Sequence, residues 1–499
     1  MAKLDDDKYL KSGSKFYCFA GYPSIKIYKK STGNAWYEHL LFGDYILVRD
    51  LEIKNKRIKV RCRNSNGWAN VSQIFNERVL EVNFIDIGQG DGCHIVTPDD
   101  QHILIDAGEY DNMNRYLYWR FYLYNKTKPL PFDFKVVISH SDKDHYKGFE
   151  HVFANNKIRV SEIYHNGIVE RPGEKHAFGK VENGLITSMV VNTPQMLEII
   201  TDPDKRKGKN SMYPKVIYKA LKYNPDVQFK MVSIEDNYLA NFDESNKVNN
   251  KDFKIKTLGP IIETKNGKTG LRTIKDQGKD KNGHSVLLKL VYDKARILLG
   301  GDINEEFGEL ITDHFKKSNS LGELQVDAAK SCHHGSNHFH YGFLEAINAP
   351  ATVISSGDDE SYCHPRPDTL GALGKCGYGQ KPLIFSTELA RSNKEITRKN
   401  IVKISDLFGE IESLKKQISE LKKGGSKKDD PALKDCESKV SNCNKEINSF
   451  LTKYGMINLR TDGRKMIIAQ KLERPAGHGK WDIHQLEYNI ASNRFELVE

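Results

Sequence analysis

The chain has 499 residues, of which 38% are hydrophobic and 28% charged, and its formal net charge is +10. At ~150 residues per domain that length suits about three domains. The composition excludes a disordered chain, a collagen-like fibre and a multi-span membrane protein, since no run approaches the ~18 apolar residues of a spanning helix.

The basic excess favours an acidic partner such as nucleic acid, although many proteins of this size carry as much without binding one. The eight cysteines, at 18, 62, 93, 332, 363, 376, 436 and 443, include no C-x-x-C pair. That is too sparse for a disulfide scaffold and argues against a zinc ribbon. Residues 1–14 are polar and read as a loose tail. They hold no apolar core of the kind a signal peptide needs, so the expectation is a cytoplasmic protein that is not exported.

From 15 to 76 the expected strands are short, at 15–19, 25–28, 45–50, 57–63 and 68–71, with turn pairs Gly43-Asp44 and Asn66-Gly67 between them. Short strands in this number predict a small β-barrel. From 79 the pattern changes. Apolar runs at 80–87, 103–105, 135–139, 286–291, 297–299 and 351–355 alternate with helical or loop stretches. That predicts a layered α+β or α/β domain over 79–390. The stretch 155–280 is less regular and includes the basic run Lys205-Arg206-Lys207-Gly208-Lys209, expected in a loop.

Residues 391–454 carry two heptad series. Ile404, Leu407, Ile411, Leu414, Ile418 and Leu421 form the first; Leu433, Cys436, Val440, Cys443, Ile447, Phe450 and Tyr454 form the second. The polar stretch 424–431 between them predicts a turn, and the whole an antiparallel helical hairpin. The segment has 15 Lys/Arg and 10 Asp/Glu, so half of the charge excess sits there. A solvated coiled coil is the plain reading. Docking of a protein partner and gripping of nucleic acid are the functional alternatives.

The strongest chemical signal is His140-Ser141-Asp142-Lys143-Asp144-His145, with Gly148 beyond, directly after the apolar run Val136-Val137-Ile138. Two imidazoles and two carboxylates on a loop leaving a buried strand are costly unless paired or metal-bound. A second candidate is Gly300-Gly301-Asp302, where a carboxylate at a strand end could bridge two ions. A third is His333-His334-Gly335-Ser336, whose adjacent imidazoles must point in different directions. His364, before Pro365, gains weight only from this company.

Together these residues resemble the metallo-β-lactamase fold family, whose signature is His-x-His-x-Asp-His, a later Asp after a strand, and a later His. The match is closer to the soluble hydrolase domain of bacterial competence DNA-uptake channels and its stand-alone relatives. Asp86-Ile87-Gly88-Gln89-Gly90-Asp91, Leu104-Ile105-Asp106-Ala107-Gly108, Leu258-Gly259-Pro260, the stretch 282–285, Tyr362-Cys363-His364-Pro365 and Arg460-Thr461-Asp462-Gly463 follow the same order. The resemblance implies an αββα sandwich whose last part, 455–499, resumes after the hairpin. The Gly67-Trp68 pair, after the Gly43-Asp44 turn, resembles bacterial SH3-like domains, which bind peptides or cell-wall fragments or pack on a neighbour.

The resemblance implies two divalent ions. His140, Asp142 and His333 would hold one; Asp144, His145 and His364 the other; Asp302 would bridge them. The division among His333, His334 and His364 stays open. Carboxylate-rich ligands favour manganese over zinc, with magnesium a third option. A bridging hydroxide, oriented by Asp144, would attack a phosphodiester of DNA or RNA. His334, Ser336 or Lys143 would contact the phosphate or protonate the leaving oxygen. Asp91 and His284 are further substrate-side candidates. Three departures stand out: Asp142 replaces a histidine, the family's middle histidine has no clean match beyond His284, and no membrane span accompanies the domain. The alternatives to a nuclease are a hydrolase of small esters or lactones, and a hydrolase subunit of a larger complex, such as one of antiviral defence.

Overall fold

The computed structural model describes residues 10–12, 15–63, 65–88, 90–174, 176–208, 211–357, 363–387, 398–424, 430–450, 456–476 and 479–498. Outside the described residues lie most of the expected tail, Gln89, Lys209, Tyr362, residues 391–397, residues 425–429 of the expected hairpin turn, and Tyr454.

The protein is α+β, built around two mixed sheets that face each other. The first has ten strands. Its parallel half runs Gln228–Met231, Val160–His165, Phe134–Ile138, His102–Ala107. Its antiparallel half continues through Gly92–Val96, Leu80–Ile85 and Met456–Thr461 to Lys465–Ala476, Gly479–Asn489 and Arg494–Leu497. The second sheet has seven strands. Lys247–Val248, Lys251–Gly259, Leu287–Tyr292 and Ala295–Gly300 pair antiparallel; Ala328–Lys330, Ala351–Ile354 and Leu383–Ser386 then follow in parallel.

Strand alternation explains the layering. Successive side chains point to opposite faces, so Leu80, Val82 and Phe84 pack inward against the other sheet's Leu288, Leu290, Ile297 and Leu299. The outer face of the ten-stranded sheet, with Leu104, Val136 and Ile138, is covered by helices Asn112–Phe121, Thr193–Ile200 and Met212–Tyr223. The outer face of the seven-stranded sheet, with Leu287 and Leu298, is covered by Glu305–Lys317 and Tyr341–Ile347. Each buried Leu, Ile or Phe stabilises this arrangement by roughly 1.5–3 kcal/mol before entropy is counted. A small four-stranded sheet, made of Val181–Glu182, Leu185–Ile186, Lys268–Arg272 and Ile262–Lys265, arises from the stretch that sequence pattern left irregular.

The chain returns to the first sheet late. Met456–Thr461 lies beside Leu80–Ile85, with Arg460 opposite Glu81. Arg460 and Arg120 both reach the buried Glu81 carboxylate, Arg120 at 2.7 Å. The helices Arg398–Lys423 and Pro431–Phe450 intervene before that return. They are antiparallel, since Lys403 reaches Glu446 and Lys422 reaches Glu437. Heptad residues Ile404, Leu407, Ile411, Cys443 and Ile447 close on one another and on Tyr124.

The N-terminal strands form one sheet in the order Leu10–Ser12, Lys15–Ala20, Tyr45–Lys54, Arg57–Cys62, Ser65–Asn70, Ser24–Tyr28, Trp36–Leu41, with Ile74–Phe75 pairing Lys15–Ala20. Residues 10–12 are therefore strand, not tail. The path does not close: among the described residues Trp36–Leu41 pairs with Ser24–Tyr28 alone. The expected closed barrel is thus an open sheet, wrapped on a core that includes Ile25, Ile27, Ile46 and Val60. It docks on the late strands, where the Trp481 indole donates to the His39 carbonyl at 2.9 Å. Among the described residues no helix is long and apolar enough to cross a membrane.

Candidate metal centre

The chemistry gathers at one edge of the two sheets. In open sheets with parallel strands, ligands bind outside the carboxyl ends of those strands. Phe134–Ile138 leads into His140 and His145, Ala295–Gly300 into Asp302, and Ala328–Lys330 into His333 and His334; His102–Ala107 carries Asp106 at its end. Strands running the other way begin there, so Asp91 precedes Gly92–Val96 and Ser285 comes just before Leu287–Tyr292. Six segments far apart in sequence thus share one floor.

Asp302 is the hub. Its Oδ2 lies 3.2 Å from His145 Nε2, 3.3 Å from His334 Nε2, and 4.0 Å from both His140 Nε2 and His333 Nε2. Asp144 lies 3.5 Å from His334 Nε2 and 4.0 Å from His145 Nε2. On the other side, His140 Nε2 is 3.5 Å from Asp142. Ligands ~2.1 Å from one tetrahedral ion stand about 3.4 Å apart. His145 and His334 match that spacing to Asp302, and His334 to Asp144; the donor atoms form overlapping groups, among them Asp144, His145 and His334 on one side and His140, His145 and Asp302 on the other. The Nε2 atoms of His140, His145 and His334 and the Oδ1 of Asp302 are buried without a hydrogen bond. Buried polar atoms left unpaired are costly, and here they converge, so these residues fit a divalent ion.

The groups behind the donors are mostly ones that residue pattern does not single out. Asp106 accepts from the Ser139 amide at 2.8 Å and hydroxyl at 2.6 Å, and lies 2.8 Å from His145 Nδ1. That contact presents Nε2 of His145 to the centre, the usual device behind a metal-binding histidine. Ser285 Oγ is 3.1 Å from His140 Nδ1 and accepts from the Asp302 amide at 2.9 Å. Asp91 Oδ1 lies 3.1 Å from His334 Nδ1, which also meets the Ser355 carbonyl at 3.1 Å, and Asp91 Oδ2 pairs with the Lys330 ammonium. Asp91 thus supports a donor from behind rather than meeting substrate. Asp106 stands in a motif of the competence-type resemblance; Lys281 and Lys330 carry no local signal at all.

Local backbone explains the histidine pair. His333, His334 and Gly335 have φ of 52°, 49° and 79°. Two successive non-glycine residues in the left-handed region cost of order 1–3 kcal/mol each. The turn sends the two rings apart at 76°, with only His334 reaching Asp144. Close approach explains Gly90, where a Cβ would sit 1.7 Å from the Asp144 carbonyl.

The field of the site is strong. Burial would raise the Asp302 carboxyl, yet the imidazoles of His334 and His145 hold it well below its ordinary range. Burial would lower His145 and His334, yet Asp302 holds both well above the ordinary 6.5, helped by Asp106 and Asp91 respectively. The same carboxylates that hold protons on these rings attract a divalent cation, which displaces those protons on binding.

Above the floor opens a cleft of 770 Å³ lined by Asp142, Asp144, Asp302, His333 and His334 among others. Lys143, Lys215, Lys281 and Arg366 give its wall positive charge. Ser336 lines it, but its hydroxyl accepts from the His338 amide at 3.3 Å. His364 stands on the wall with its ring 6.1 Å from His333 and 6.3 Å from His334, outside the donor groups; His334 occupies the place beside Asp144 and His145. His284 is not a cleft residue. It is buried against Phe307, with Nε2 2.7 Å from the Arg272 carbonyl. No protein-family model matches this chain, and no curated protein matches it.

Proposed function

We propose that the chain is a divalent-metal-dependent hydrolase of the metallo-β-lactamase fold, akin to the hydrolase domain of competence DNA-uptake channels, and that it cleaves phosphodiester bonds in nucleic acid. The observation that carries this reading is the convergence of unpaired imidazole and carboxylate atoms at the floor of a cleft whose wall carries Lys143, Lys215 and Arg366 beside Glu109 and Glu170. Two facing sheets with helices on their outer faces, and motif loops gathered at one edge, support the fold assignment.

Ions held by these donors supply Lewis acidity and a nucleophile drawn from water near neutral pH. The chain's own residues do the rest. Asp106 and Asp91 hold His145 and His334 in the orientation that presents Nε2. Lys143, Lys215 and Arg366 on the wall face the negative oxygens of the reacting phosphate, where preorganised charge lowers the barrier. His334 is committed to Asp91, Asp144 and Asp302. Lys143, exposed on the wall, and Ser336, whose hydroxyl accepts from the His338 amide and can still donate, are the groups that contact the phosphate, with Lys143 able to protonate the leaving oxygen.

The test is purified protein offered single- and double-stranded DNA and RNA with Mn²⁺, Mg²⁺ or Zn²⁺, alongside His145→Ala. The expected result is metal-dependent cleavage abolished by the substitution. Cleavage that survives His145→Ala refutes the assignment of the centre. Turnover of small esters without cleavage of polynucleotide moves the substrate to the small-molecule class.

A further inference from the structure

Asp142 stands where the family resemblance expects a histidine ligand, and the structure shows what else holds it. It precedes the short helix Lys143–Tyr146 yet makes no side-chain cap there. Its Oδ1 instead pairs with the ammonium of Lys281, which also lies 3.6 Å from Glu170. Its Oδ2 is within 2.6 Å of the Asn282 side chain, whose amide donates to it in the orientation that also donates to the Gly278 carbonyl. Lys281 and Asn282 belong to the helix Gln277–Gly283, anchored at its start by Asp276. Both oxygens of Asp142 are therefore engaged by donors on one rigid turn.

The two halves of the centre differ accordingly. Around Asp144, His145 and His334, both imidazole Nε2 atoms are buried and unpaired, and among the described residues the carboxylate of Asp144 has no ammonium on it; across Asp302, whose Oδ1 is also unpaired, His140 Nε2 is buried and unpaired as well, and the difference lies in Asp142. Around His140, Asp142 and Asp302, the carboxylate that an ion would need is already shared with an ammonium and an amide. An ion there would also stand close to the Lys281 charge, and like charges at such separations repel strongly in a partly desolvated site. Asp142 belongs to none of the donor groups whose atoms all lie within 4.8 Å of one another.

We infer that Lys281 makes the two metal positions unequal: one divalent ion binds tightly at Asp144, His145 and His334, next to Asp302, while Lys281, held on Asp142, supplies the positive charge at the second position, beside His140, and keeps an ion there weak. This rests on the metal-dependent reading above. It assigns Lys281 as a positioning residue that sets how many ions the centre holds. A lysine in that place presents its charge to a substrate phosphate without the coordination demands of a second ion.

The test is Mn²⁺ binding to the full chain, followed by calorimetry and by electron paramagnetic resonance, for wild type, Lys281→Met and Lys281→Arg. Wild type is expected to take up one ion, with a second weaker by at least about tenfold, a gap of ~1.4 kcal/mol. Lys281→Met, which removes the charge but keeps the stem, is expected to tighten the second ion by about tenfold or more and to give the spectrum of a coupled ion pair. Lys281→Arg is expected to behave as wild type. Two ions of equal affinity in wild type overturn the inference and leave the hydrolase reading standing. So does a second site unchanged in a folded Lys281→Met. Absence of any Mn²⁺ binding to wild type overturns the metal-dependent reading itself. Wild-type stoichiometry decides the matter should Lys281→Met fail to fold.

Discussion

Replacing Asp106 by Asn isolates the support behind His145. The side chain is 1% exposed and keeps its volume in the substitution. One oxygen can still accept from the Ser139 amide, held now at 2.8 Å. The other becomes an NH2 facing the Ser139 hydroxyl and His145 Nδ1, which lie 2.6 and 2.8 Å away. For His145 to offer Nε2 to an ion, Nδ1 must carry the hydrogen, and a hydrogen then faces a hydrogen. The ring must either turn or move its proton to Nε2, and both remove the donor. Loss of such an outer partner typically costs 10–100-fold in metal affinity, ~1.4–2.7 kcal/mol. Mn²⁺ calorimetry on wild type and Asp106→Asn measures this directly, with circular dichroism to verify folding. An affinity within about threefold of wild type in a folded variant would show that Asp106 does not orient the ligand.

Three further outcomes are expected. Gly90→Ala places a Cβ 1.7 Å from the Asp144 carbonyl, so Asp144 must move; Mn²⁺ binding should fall sharply with little change in overall helix and strand content, and undiminished binding contradicts the packing. Glu81→Gln leaves Arg460 and Arg120 without their buried counter-charge, and breaking such a group costs ~3–5 kcal/mol, readable by urea unfolding; a loss under ~1 kcal/mol would mean the cluster is not essential. Burial pushes His102 from 6.5 down to about 3, and burial followed by His102 pushes His94 well below 6.5, while their rings meet at 3.0 Å. The unfolded chain therefore binds these protons first as pH falls, so their contribution is present above 6.5 and is lost from there toward about 3. Melting temperature should fall over that window, and a slope unchanged in a folded His102→Gln variant would assign the acid sensitivity elsewhere.

How much of this was legible in the sequence follows from the range of each interaction. Alternation at 80–85 marks a strand because one face meets a sheet and the other a helix layer, and only the local period matters. The heptads at 404–421 and 433–450 declare the hairpin for the same reason. The His140-to-His145 loop is legible because four ligand-type residues crowd one strand end. Other parts depend on partners far along the chain. Trp36–Leu41 is as long as Leu80–Ile85 but lacks the alternation, and the two- to five-residue strands of the small sheet carry too few residues for a period. Whether the N-terminal strands close is a matter of tilt and stagger, which alternation does not encode. Sequence pattern makes Asp91 and His284 substrate-side candidates, whereas in the fold Lys330 and His334 stand on Asp91 and the His284 ring packs on Phe307.

Charge balance ties the site to the fold. Asp91, Asp106, Asp142, Asp144 and Asp302 stand around one floor, and the ammonium groups that reach them directly are Lys330 on Asp91 and Lys281 on Asp142. Carboxylates outnumber those cations, and burying an uncompensated carboxylate is expensive. Protons on His145 and His334 make up part of the difference in the metal-free chain, which is why the carboxylates raise both rings. A divalent ion does the same work with less motion, because every donor is already fixed by a strand end or by a carboxylate behind it. The sheets therefore do more than display the loops. Their strand ends bring carboxylates and imidazoles together on one floor, the donor set that a divalent cation would meet.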